Sequence, residues 1–213
     1  SMETTNETFN SKIESTYARF EKQFNDNPEK VGAYWENAKK AKALSDELKA
    51  YLNNVKYEAI ARSEKISLDS AKVRPLHRVS SKDKYDETTN YFIGNSTDGS
   101  KGKAGEMRIK IEEYKKNLLA LIAPDKQGLI KLGLNTKGPF YDANNVQQNW
   151  EMHNFYHTIL AADVTIMNKL IAEVQNAEID VVSSLYGSIS AEDYKFDMVQ
   201  PKVIPNSKLV FQG

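Results

Sequence analysis

Three groups of residues have the types and spacing that chemistry uses. His153 and His157 lie four apart. On a helix that spacing puts both rings on one face, which suits zinc. A hydrolytic zinc helix also carries Glu directly after its first His, but Asn154 stands there. The chain has one other histidine, His77. The pair is therefore read as partly buried packing residues.

The second group is the segment Gly94-Asn95-Ser96-Thr97-Asp98-Gly99-Ser100-Lys101 after Tyr91-Phe92-Ile93, which imitates a phosphate loop between a strand and a helix. A true phosphate loop needs Lys directly after its second Gly and then Ser or Thr for magnesium. Here Ser100 precedes Lys101, so both side chains are misplaced. The reading is a flexible loop leading into a helix. Asn95-Ser96-Thr97 is a glycosylation acceptor only in a eukaryotic source.

The third group is Glu173, Glu178 and Asp180, which could be imagined as an acid/base set. On an amphipathic helix they read as a solvated face or as interhelical partners of Lys. Glu178 is the exception, because the apolar repeat places it inside the stripe. Buried there, it needs a cationic or hydrogen-bonding partner. Candidates within the chain are Lys and Arg residues of the second and third helices, such as Lys56, Arg62, Arg108 or Lys115; a donor from a second subunit is the other option, and the intrachain partner is preferred. The sequence thus leads us to expect no catalytic, cofactor-binding or metal-binding residue, and no enzyme.

Composition agrees. The chain has 213 residues with 29 basic and 29 acidic side chains, a balance that gives no electrostatic reason to expect nucleic acid or an acidic membrane as partner, and no small-molecule substrate is expected either. It has no cysteine, which rules out disulfides, thiolate metal sites and cysteine nucleophiles. The mean hydropathy of -0.61 suits long surface helices with much polar face per buried stripe. The longest apolar run, Leu118 to Ala123, is far too short to span a bilayer. Residues 1–2, Ser1-Met2, read as a tag remnant, so the chain is expected to start inside a longer protein.

The elements that would position these groups are four long amphipathic helices. Phe9, Ile13, Tyr17, Phe20 and Phe24 mark the first, from about Thr4 to Phe24. Asn27 caps the second and Pro28 opens it. It runs to about Glu64 with Val31, Tyr34, Trp35, Ala38, Ala41, Leu48, Leu52, Val55 and Ala59 in its stripe, roughly 55 Å long. An irregular stretch over 65–102 follows, with a short helix near Asp83–Tyr91. The third helix runs from about Lys103 to Ile122 and stops at Pro124. Residues 125–148 are irregular, with a turn or short strand at Gly138 to Asp142. The fourth helix runs from about Trp150 to Tyr186 on Leu160, Val164, Met167, Ile171, Val174, Val181 and Leu185, and Gly187 closes it. After Ala191 the pattern becomes extended among Pro201 and Pro205. Val210-Phe211-Gln212-Gly213 reads as native chain, with a protease-site remnant as the alternative. The expected fold is an all-α bundle over 3–190, with 191–213 an extended linker entering a β-rich domain.

Two blocks carry more than pattern. One is Tyr91-Phe92-Ile93-Gly94, then Gly102-Lys103-Ala104, then Tyr114 to Leu119. The other runs from Trp150-Glu151 through Asn154-Phe155 and Leu160-Ala161-Ala162 to Asn168-Lys169-Leu170, and ends with Asn176-Ala177-Glu178-Ile179-Asp180-Val181. Together they resemble the N-terminal periplasmic part of the gliding-motility protein family GldM, called PorM in non-gliding relatives. The resemblance covers most of the chain from about Tyr91 and is weaker before Pro75.

That resemblance implies a role in the type IX secretion system of Bacteroidetes. Family members carry one inner-membrane helix and then several periplasmic domains, the first helical and the later ones β-rich. They are dimeric, and their membrane helices sit within a ring of GldL to form a proton-driven motor. The periplasmic shaft passes motion to outer-membrane ring components. The expectation is therefore a homodimeric periplasmic shaft domain, anchored through a preceding helix. The family's proton-relay residues lie in membrane segments, so none carries over. The alternative is a periplasmic four-helix sensor domain of a membrane receptor, which would bind small ligands between helices.

Overall fold

Asn27 interrupts what would otherwise be one helix, and the interruption makes the first hairpin. Its side chain accepts from the Lys30 backbone N–H at 3.2 Å, and Pro28 occupies the first position of the next helix. The computed structural model describes residues 2–81 and 83–199, with side chains over 7–81 and 83–191. Helix α1 spans Met2–Asp26 and α2 spans Pro28–Glu64. Helix α2 ends at Lys65, which is left-handed (φ 54°) and returns its N–H to the last turn.

Short helices α3 (Leu68–Val73) and α4 (Asp86–Phe92), with a single 3-10 turn at Leu76–Arg78 between them, lead to α5 (Lys103–Leu119). Pro124 not only follows α5 but opens the one-turn α6 (Pro124–Gln127). Strands β1 (Phe140–Tyr141) and β2 (Gln147–Gln148) form an antiparallel hairpin, with Phe140 opposite Gln148. Then come α7 (Trp150–Phe155) and α8 (Leu160–Val199). The fold is all-α apart from that hairpin.

Helix α2 is the hub, in contact with α1, α5 and α8. Lys49 meets Glu178 and Lys56 meets Asn168, so α2 and α8 run antiparallel over most of their length. Most of the expected stripe of α2 is core: Val31, Ala38, Ala41, Leu48, Leu52, Val55 and Ala59 are buried, whereas Tyr34 and Trp35 are only partly buried against it. Two aromatic clusters close the ends. Phe20 packs on Trp35 and Tyr186 at centroid distances of 5.4 and 5.5 Å. At the other end Phe92 stacks on Phe155 at 4.3 Å, and Trp150 meets Phe155 edge-on.

Three expectations need correction. The fourth helix is not continuous from Trp150. It breaks at Tyr156–Ile159, where His157 is left-handed (φ 52°). The break is held by long-range bonds: the Leu160 N–H donates to the Lys84 carbonyl at 3.1 Å, and the Thr88 hydroxyl donates to the Thr158 carbonyl at 3.1 Å. Second, Gly187 does not close the helix. It is exposed within α8, with open space where a side chain would sit. Third, α8 continues past Ala191 to Val199, where extended chain was expected. No Gly or Pro occurs between Gly187 and Pro201 to stop it. The rest of the expected linker, 200–213, and Ser1 of the tag remnant lie outside the described residues.

Candidate functional site

The polar residues buried between α1, α2, α5 and α8 form cross-ties along the bundle. Glu178 is 2 % exposed and lies on the buried face of α8. It accepts from the Tyr17 hydroxyl of α1 at 2.7 Å and from the Lys49 ammonium of α2 at 3.4 Å. Lys49 also pairs with Asp46 at 2.9 Å, and Asp46 with Lys42 at 2.6 Å. Burial pushes the Glu178 carboxyl up against the pull of Tyr17 and Lys49. Burial, with Glu178 beside it, likewise raises Tyr17. The cationic partner is a lysine of the second helix, within the expected class, but it is Lys49, with Tyr17 beside it, and not one of the named examples Lys56, Arg62, Arg108 or Lys115. Arg108 instead pairs with buried Glu151 at 2.6 Å.

A second tie is Tyr114 of α5. Its hydroxyl donates to the Val174 carbonyl of α8 at 3.3 Å and shares a 2.9 Å bond with Ser45 of α2. A third is Lys56, which is 9 % exposed. Its ammonium donates to Asn53 Oδ1 at 2.9 Å and to Asn168 Oδ1 at 3.0 Å. Burial lowers its pKa, and no carboxylate pairs with it among the described residues.

The fourth polar group sits at the α7–α8 elbow. Asp163 is fully buried. Its Oδ1 accepts from Thr158 Oγ1 at 2.5 Å, and its Oδ2 has no hydrogen-bond partner among the described residues. Burial pushes this carboxyl up to about 7, against the hydroxyls of Thr158 and Thr88.

The other candidates are dispersed. His153 stacks on Phe140 at 4.9 Å, whereas His157 lies in the elbow against Tyr156 and Tyr85. The helical register that would pair the two imidazoles is absent. No group of three or more His, Cys, Asp and Glu suited to a metal occurs among the described residues. In the glycine loop, a Cβ at Gly102 would lie 2.2 Å from the Phe92 carbonyl oxygen, so that glycine serves close backbone packing. Glu173 accepts from the Leu134 N–H at 3.0 Å and pins the loop before β1, and Asp180 is exposed.

Asp163, and Tyr17 as a polar partner, escaped the sequence reading, and Lys56 was expected only as a partner of Glu178, not of Asn53 and Asn168. Asp163 carried a signal: it stands three residues after Leu160 and four before Met167, as good a stripe position as Val164.

No helix among the described residues is long and apolar enough to cross a membrane. No curated protein sequence matches the chain. The sequence model of the GldM N-terminal domain, however, matches residues 1–188, including α1 and α2, where the residue-level resemblance was weakest. With an all-helical architecture and that match over most of its length, the chain belongs to the GldM N-terminal domain family.

Proposed function

We propose that this chain is a stiff, non-catalytic shaft domain that transmits motion in a dimeric motor component, on the periplasmic side of the inner membrane. Family membership points to a component of gliding motility and type IX secretion. The observation that carries the finer reading is the α2–α8 pair. Helices of 37 and 40 residues lie side by side and are tied at several levels by buried polar contacts. Such a pair resists bending and sliding better than loop-linked modules, because sliding would strand Glu178 and Lys56 without partners. In this reading a GldL-like membrane partner engages a preceding anchor helix, and later domains meet outer-membrane ring components.

The test is secretion in cells carrying the full-length protein with graded bundle damage, at held abundance. Export should fall in step with the melting temperature of the domain. Normal export with this domain unfolded at growth temperature would sink the shaft reading. Sedimentation velocity of the 213-residue chain separately tests the dimer.

A further inference from the structure

An open apolar groove of about 320 Å³ lies where the Leu76–Arg78 turn crosses the start of α8. Leu76, Val79, Leu160, Ala161 and Val164 line it, and Asn168 stands among its polar wall. Exposed aliphatic side chains lie in the same stretch of chain: Leu76 of the groove is 44 % exposed and Val73, three residues earlier, is 82 % exposed. Exposed aliphatic side chains gathered beside a concave apolar surface mark an interaction site more often than chance.

Charge says what kind of partner fits. Lys56 is a buried ammonium whose hydrogen bonds go to two neutral amide oxygens, with the Tyr57 ring 5.1 Å away, and one of those oxygens belongs to Asn168 in the groove wall. Asn168 Oδ1 is occupied by that ammonium, and its Nδ2 has no hydrogen bond among the described residues. The amide therefore presents donors backed by a positive charge. In the sequence, the stretch 65–84 that contains the Leu76–Arg78 turn has six basic residues against two acidic ones, in a chain whose net charge is zero, and Arg74 among them is paired with Glu64. Lys72 and Arg78 of that stretch are exposed.

We propose that this groove docks an acidic segment of a partner protein, with one or two large apolar side chains seated among Leu76, Leu160 and Val164 and a carboxylate at Asn168. The groove is concave, so a flat anionic bilayer would leave it unfilled. The exposed Val73 and the basic stretch extend beyond it, so a single short acyl chain would leave them unused. An acidic amphipathic peptide covers both. The proposal goes beyond the shaft reading and does not depend on it.

The experiment selects a displayed library of random peptides on the intact 213-residue chain. Enriched peptides should carry Asp or Glu beside Leu, Phe, Trp or Met. Synthetic copies should bind about tenfold or more weakly to Val164→Glu, which places a charge in the groove. They should also lose affinity for the surface variant Lys72→Glu with Arg78→Glu, whose fold is checked by its melting curve. Several results overturn the proposal: no acidic enrichment, equal binding to these variants, or binding of dodecanoate or phosphatidylglycerol vesicles with no peptide selected.

Discussion

Glu178 and Tyr17 stand 161 residues apart in the chain, yet the phenol donates to the carboxylate at 2.7 Å. The bond joins the first helix to the last across the hub helix, with Lys49 of α2 completing the site. A carboxylate that is 2 % exposed is tolerated because both partners are built in.

Removing only one side of this cluster should therefore be the most damaging change. Glu178→Ala leaves the Tyr17 hydroxyl only its long 3.5 Å contact to the Ala38 carbonyl and should destabilise by about 2–3 kcal/mol, against about 0.5 kcal/mol for a surface change. Glu178→Leu with Tyr17→Phe replaces both partners by apolar groups and should lose less than Glu178→Ala alone. Denaturant melts of the four corners of the cycle give the coupling. A coupling near zero would mean that the contact contributes nothing.

Asp163 should give the chain a distinct pH dependence. Its folded value of about 7 lies above the unfolded value of roughly 3.9. Between those two values the folded state holds the proton more tightly. This group's contribution to stability is therefore greatest at low pH and falls as pH rises from about 4 to about 7. The ionised form then carries a penalty on the order of 4 kcal/mol. Asp163→Asn should raise the melting temperature at pH 8 and flatten the difference from wild type below pH 4. An unchanged pH slope in the variant would assign the titration elsewhere.

Packing along α8 separates neighbouring residues. Met167 is fully buried and Leu170 is 6 % exposed, whereas Ile171 is only partly buried. Leu170→Ala should cost about 2–5 kcal/mol and Ile171→Ala clearly less. Chemical denaturation of the two variants measures the order, and the reverse order would place the wrong face of α8 against α2.

The glycines should respond in opposite directions. A Cβ at Gly105 would lie 2.0 Å from the Ser100 carbonyl oxygen, so Gly105→Ala should destabilise by about 2 kcal/mol or more. Gly187 has open space around it within α8, so Gly187→Ala should stabilise by about 0.5–1 kcal/mol. Thermal melts of both decide it, and destabilisation by Gly187→Ala would contradict its place in a regular helix.

Local chemistry was enough to place most of the helices. Asn27, Pro28 and the absence of Gly or Pro after Gly32 mark α2 from one end to the other, because caps and breakers act within a turn. Met107, Ile111, Tyr114 and Leu118 mark the buried face of α5 in the same way. The family could be recognised from Tyr91 onward in particular residues.

What periodicity could not settle were choices between equals. From Leu160 an apolar stripe can step three residues to Asp163 or four to Val164, and a 3.6-residue period scores both alike. Packing against α2 and the Thr158 hydroxyl chose Asp163 and then Leu170. The same holds for the partner of Glu178, since any lysine on a neighbouring helix satisfies its charge until the antiparallel register of α2 and α8 brings Lys49 to it. The elbow at His157 depends on Lys84 and Thr88, some 70 residues earlier, supplying the bonds that an unbroken helix would have made internally. A continuous helix from Trp150 satisfies every local rule, and only the tertiary hydrogen bonds make the broken one the lower in free energy.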